Sequence, residues 1–211
     1  MGKYVVFDFD GTLVDSKVVF ISAFNQLADK YRFNKIDEQS IPQLIKLSMH
    51  DRMRLLKVPF YKLPVLIAEF INIYNKSLHT ICFIAGMSDV LKTLESSGYK
   101  TAIISSNAVN SIRQFLQNNQ IDFIKDIYSS SRLFGKDKAI NKFLHQHKLQ
   151  NTEVIYVGDE ERDVIACKKS GIRIVWVAWG FEVQEVVVNS QPHFMANTPA
   201  ELLEIVQTQL G

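Results

Sequence analysis

Two aspartates stand two residues apart in Asp8-Phe9-Asp10-Gly11-Thr12-Leu13-Val14-Asp15-Ser16, at the end of an apolar run. Carboxylates this close repel one another, so they call for a cation or a raised pKa. Hard oxygen donors of this kind suit Mg²⁺ better than zinc. A second acidic run, Val157-Gly158-Asp159-Glu160-Glu161-Arg162-Asp163, closes another apolar stretch. Asp159 is expected at a strand tip, with Asp163 in the first turn of the next helix and facing the same crevice, where the positive helix end favours acids. Glu160, Glu161 and Arg162 read as a solvated helix start. At the end of a third apolar run, Ser105-Ser106-Asn107 brings hydroxyl and amide donors to a turn that can hold an oxyanion. Gly135-Lys136-Asp137-Lys138 opens a helix with a lysine able to neutralise a phosphate or carboxylate.

These groups need a scaffold that gathers strand ends. Short β-branched apolar runs at 4–9, 101–104, 154–157 and 172–178, with a weaker one at 126–129, read as strands of a parallel sheet covered on both faces. Helical patterns alternate with them: Val90, Leu91 and Leu94, with Ser88 as a candidate cap; Ile112, Phe115 and Leu116; Ala139, Ile140, Phe143 and Leu144; and a helix from Val164 ended by Gly171. Thr198, Pro199 and Glu201 spell a capping box for the last helix. Such alternation implies an open α/β sheet with right-handed crossovers, whose ligands bind at the strand C-terminal ends. Residues 17–80 differ. They carry apolar residues at helical spacing (Phe20, Ala23, Phe24, Leu27; Leu66, Ile67, Phe70, Ile71, Tyr74) and no strand signal, and Pro42, Pro59 and Pro64 divide them into three or four helices.

Composition excludes several classes. With 24 basic and 22 acidic residues among 211, the formal net charge is +2, too small to imply nucleic acid or a membrane surface as partner. No run reaches the roughly 18–20 apolar residues of a membrane span. Cys82 and Cys167 read as buried free thiols of a reducing compartment, so a cytoplasmic location is expected. Lys17, His50, Arg52 and Arg54 in the helical insert read as surface charges. His145 and His147, two residues apart on one helix, point apart and are not expected to share a metal.

The four chemical segments, in this order, resemble the haloacid dehalogenase-like superfamily, in the branch of phosphoglycolate phosphatase and β-phosphoglucomutase. The resemblance spans nearly the whole chain and rests on DFDGTLVDS at 8–16 and GDEERD at 158–163. It implies a Rossmann-like parallel core (1–16 and 81–211) with helices on both faces and a small all-α cap (17–80) inserted after the first strand. It further implies that Asp8 is the nucleophile, forming an aspartyl-phosphate, and that Asp10 is the general acid and then base, its carbonyl also binding metal. Ser105, Ser106 and Asn107 would hold the phosphoryl group, and Lys136 would pair with Asp8. Mg²⁺ would be bound by Asp8, Asp10 and Asp159, with Asp163 in support. The implied activity is hydrolysis of a small phosphorylated metabolite by a monomer or homodimer. A phosphomutase on the same scaffold, or a weakly catalytic phosphate-binding regulator, are the alternatives.

The chain departs from the family in two places. Asp137 follows Lys136 where proline is usual, which leaves Lys138 as a competing lysine, and Ala85-Gly86 replaces Pro-Gly after the cap. Asp10 is present, which excludes the dehalogenase branch, where the second acid of the first motif is expected to be missing.

Overall fold

A computed structural model describes residues 2–77, 80–130 and 135–211. The chain divides into two compact units, 1–15 with 82–211, and 16–81.

In the larger unit, the first strand, β1 (Tyr4–Phe7), is buried throughout. A two-residue strand, β2 (Val14–Asp15), follows the first acidic turn and pairs antiparallel with β3 (Cys82–Phe83). The helical unit holds α1 (Lys17–Tyr31), α2 (Ile41–Leu44), α3 (Met49–Leu55) and α4 (Leu63–Lys76). Its own core joins Phe24, Ala28, Leu44, Leu56, Val58 and Leu66; the helical spacing marks out Phe24 and Leu66 among them. Asn25 fastens the backbone of Ile36 from both sides, at 2.7 and 2.8 Å. Arg52 is not simply a surface charge: its guanidinium donates to the carbonyls of Leu44 and Ile45 and so ends α2.

The rest of the larger unit runs α5 (Met87–Ser96), β4 (Lys100–Ser105), α6 (Val109–Asn118), β5 (Asp126–Ser129), α7 (Lys136–His147), β6 (Val154–Gly158), α8 (Glu161–Ser170), β7 (Arg173–Val177), α9 (Gln184–Val187), β8 (Phe194–Ala196) and α10 (Pro199–Leu210). The strands form one sheet in the order β5-β4-β1-β6-β7-β8, every pairing parallel. β1 lies where the chain changes direction across the sheet, the position at which open α/β sheets bind ligands.

Alternate residues divide the two faces, as period-2 strands require. Tyr4, Val6, Ala102, Ile104, Val154, Tyr156, Ile174 and Trp176 share one core layer with α7 and α8. Val5, Phe7, Ile103, Ile155, Val157 and Val175 are buried on the opposite side. Among the described residues, no helix is long and apolar enough to cross a membrane.

Two further local expectations need correction. α5 is capped by Gly86 in the left-handed conformation (φ 88°), and Ser88 lies inside the first turn. Cys82 is exposed, because β3 stands outside the six-stranded sheet and pairs with β2 alone; only Cys167 is buried. β2, β3 and β8 carry no period long enough to read from sequence. The capping box of α10 forms as read, with Glu201 N–H on Thr198 Oγ1 at 3.2 Å.

Phe143 is fully buried and meets Tyr4 and Tyr128 edge-on, with ring centroids 5.1 and 5.6 Å apart. Phe143→Ala is expected to cost about 3–5 kcal/mol, read as a lowered midpoint of urea unfolding.

Candidate active site

The C-terminal ends of β4, β1 and β6 lie side by side and deliver Ser105, Asp8 and Asp159 to one edge of the sheet. Asp8 follows β1 directly, and its backbone N–H still bonds to Val157 at 2.8 Å. Its carboxylate is buried. Oδ1 accepts the N–H of Phe9 at 2.8 Å and Oδ2 accepts Lys136 Nζ at 2.8 Å.

Lys136 is the first residue of α7. Its ammonium, almost fully buried, also pairs with Asp163 in the first turn of α8. Burial opposes its charge, but Asp163 and Asp8 outweigh burial and hold it protonated. Lys138 is exposed, so the lysine that enters the site is Lys136.

Asp163 is wholly buried. Burial raises its carboxyl to about 6; Lys136 pulls down, while Asp8 and Glu160 push up. A methyl group on Gly158 would collide with its carboxylate, so the glycine that ends β6 is what lets Asp163 lie over the strand end.

Glu160 is not part of a solvated helix start. It is half-buried, Arg162 Nε donates to its Oε2 at 2.5 Å, and its own N–H donates to Asp163 at 3.3 Å. Asp8, Glu160 and Asp163 each present one oxygen within 4.8 Å of the others. The only hint in the sequence is the i, i+2 placement of Glu160 and Arg162 beside a known acid.

Asp159, also fully buried, is held differently. Thr12 Oγ1–H reaches its Oδ1 at 2.9 Å, the N–H of Phe181 reaches Oδ2 at 2.7 Å, and Trp176 Nε1–H reaches its carbonyl at 2.7 Å. Burial pushes the Asp159 carboxyl well up, and Glu160, Asp8 and Asp163 add to the effect.

Asp10 lies on the turn after β1, with Gly11 at φ 72°. Asn107 Nδ2 donates to Asp10 Oδ2 at 2.5 Å. Asn107, read as a phosphate donor, therefore engages Asp10 with its side chain, while its backbone N–H bonds to Ser105 Oγ at 3.2 Å. Ser105 is buried and Ser106 half-buried at the same turn.

Four acids (Asp8, Asp159, Glu160 and Asp163) thus interact with two cations, Lys136 and Arg162. With every acid ionised, four against two would leave two negative charges in excess, before Asp10 is counted, and burial answers that excess by raising Asp159 and Asp163. At the separations of the trio, each like-charged pair repels by on the order of 3 kcal/mol. A divalent cation carries the charge that would offset the excess, and the donors are the hard oxygens that Mg²⁺ takes.

Known proteins resemble this chain over nearly its whole length. The model of the haloacid dehalogenase-like hydrolase family matches residues 5–177. The chain is 30% identical over 207 residues to phosphoglycolate phosphatase of Synechococcus elongatus, covering 98% of this chain and 97% of that protein. It is 23% identical over 211 residues to pyrophosphatase PpaX of Bacillus cereus, covering 96% and 95% of the two chains. The structure of a haloacid dehalogenase-like family hydrolase from Streptococcus pneumoniae superposes with a TM-score of 0.82 at 25% identity, over 98% of this chain and 99% of that one.

Removing Lys136 leaves two buried carboxylates unpaired. Lys136→Ala is expected to cost about 3–5 kcal/mol in the metal-free protein, whereas Lys138→Ala should stay within about 0.5 kcal/mol. Urea unfolding of the two variants separates them.

The chain belongs to the haloacid dehalogenase-like hydrolase family, in the branch of phosphoglycolate phosphatase.

Proposed function

We propose that this protein is a Mg²⁺-dependent phosphatase that hydrolyses a small phosphate monoester through an aspartyl-phosphate on Asp8. The observation that carries the proposal is the buried ammonium of Lys136 on Asp8 Oδ2, 2.8 Å away, at the switch point of the sheet. Phosphoryl transfer depends chiefly on positioning and charge neutralisation, and this site concentrates both.

Phe9 N–H and Lys136 fix the Asp8 carboxylate from its two oxygens. In the first step an Asp8 oxygen bonds to phosphorus and the ester P–O bond breaks. Asp10, oriented by Asn107, gives its proton to the departing alkoxide. In the second step Asp10 takes a proton from water, whose oxygen bonds to phosphorus. The Asp8–phosphorus bond breaks, and free phosphate leaves with Asp8 restored. Ser105 and Ser106 offer donors to the phosphoryl oxygens at the end of β4, and Lys136 offsets their charge. Asp8, the Asp10 carbonyl and Asp159 would hold the metal, with Glu160 and Asp163 beside them. Bound there, Mg²⁺ would polarise the phosphoryl group and neutralise its charge.

Residues 17–80, which lie within the compact unit 16–81, are read as the family's cap, which excludes bulk water and selects the substrate. The relatives are named for phosphoglycolate and for pyrophosphate, so a small, anionic phosphate compound is the substrate class put forward. A cytoplasmic location belongs to the same proposal: Cys82 and Cys167 stand as free thiols, the state a reducing compartment maintains.

Phosphate release from a panel including 2-phosphoglycolate and pyrophosphate tests the reading. Release should require Mg²⁺, stop on chelation, and vanish in Asp8→Asn with the fold retained. Asp10→Asn should lose about 10²–10⁴-fold in kcat. Near-normal hydrolysis by Asp8→Asn would overturn the assignment.

Excess negative charge also predicts a stability effect. Because the buried acids repel in the metal-free protein, Mg²⁺ should raise the thermal midpoint. Asp159→Asn, which removes a carboxylate that would hold the ion, should reduce that rise, as read by calorimetry with and without the ion.

A further inference from the structure

The turn that follows β7 belongs to none of the family's four chemical segments, yet three of its residues grip two of them. Trp179 Nε1–H donates to the carbonyl of Thr12 at 3.1 Å, on the turn that carries Asp8 and Asp10. Phe181 N–H donates to Asp159 Oδ2 at 2.7 Å. Glu182 Oε2 accepts the N–H of Glu161 at 2.6 Å, at the start of the helix that carries Asp163.

Gly180 sits between these bonds. A Cβ placed there would overlap the Asp159 carboxylate, from its Cβ to its Oδ2. The same carboxylate also crowds Gly11, where a Cβ would fall 2.5 Å from Asp159 Oδ2 and 2.6 Å from Phe181. Two glycines from opposite ends of the chain thus enclose one fully buried acid.

We infer that the 179–182 turn is the positioning element of the metal site: it holds Asp159, the first acidic turn and the start of α8 in register, and thereby sets metal affinity. The inference rests on the metal-dependent reading above. A carboxylate fixed through one lone pair on each oxygen keeps others for a cation, and the donors that fix it decide where those point. Groups that orient metal ligands from behind typically contribute 10–100-fold to affinity or activity. Gly180, Trp179 and Glu182 are positioning residues, acting through Asp159, Thr12 and α8.

The test is Mn²⁺ binding to the full chain, followed by electron paramagnetic resonance, alongside kcat and KM at rising Mg²⁺. Gly180→Ala should weaken Mn²⁺ binding about 10–100-fold and lower kcat at low Mg²⁺, with the rate recovering as the ion is raised and KM for the phosphate ester little changed. Trp179→Phe keeps an aromatic ring and loses the pyrrole ring with its donor to Thr12. It should weaken binding in the same direction by a smaller factor, and it serves if Gly180→Ala does not fold. Wild-type Mn²⁺ affinity in a folded Gly180→Ala or, failing that, in Trp179→Phe would overturn the inference while leaving the phosphatase reading intact. No Mn²⁺ binding by the wild-type protein would overturn both.

Discussion

A single ammonium, buried between two carboxylates from distant parts of the chain, organises the catalytic unit. Lys136 reaches Asp8 at the end of β1 and Asp163 at the start of α8. It therefore ties α7, α8 and the central strand together at the point where the sheet changes direction. A buried charge is tolerated only when it is paired, and losing one partner costs more than the pair contributes. The surrounding architecture follows from that constraint. Glycine stands at 158 because Asp163 must lie over the strand end, and at 11 and 180 because Asp159 fills the space where a side chain would be.

One lysine does not balance the acids. Arg162 answers Glu160, but were every acid ionised, Asp159 and one charge of the Asp8–Asp163 pair would remain in excess. Burial raises both Asp159 and Asp163 instead of letting them ionise easily. A site of this kind gains from a divalent cation and from a dianionic phosphoryl group only in that order, since the anion alone would add to the repulsion. The same charge pattern explains why the acids are fixed so firmly by Thr12, the Phe181 amide and Arg162: unrestrained, they would turn away from one another.

How much of this was readable from sequence depended on whether the signal was local. The apolar runs of β1, β4, β6 and β7 and the weaker β5 announced a parallel sheet, since strands buried on both faces show as unbroken apolar stretches. The acids at 8, 10, 159 and 163 were legible because each follows such a run. Glu160 was not, because its neighbours Glu161 and Arg162 made it look like part of a solvated helix start, and only the fold brings it beside Asp8. Gly180, Phe181 and Glu182 were invisible for the same reason: their partners are Asp159 and Glu161, and an amide donor carries no sequence mark. Asn107 is legible as a donor at the end of β4, but nothing local places it beside Asp10. β2, β3 and β8 are two or three residues long, too short for any period to show.

On the proposed mechanism, Asp8 carries the phosphoryl group in the course of turnover. Rapid acid quenching during steady-state hydrolysis of 2-phosphoglycolate or another accepted ester, followed by peptide mass spectrometry, tests it most directly. The account predicts an acid-stable, hydroxylamine-sensitive phosphoryl adduct on Asp8 that is absent in Asp8→Asn. Turnover with no adduct there, or with the adduct on another residue, would contradict it.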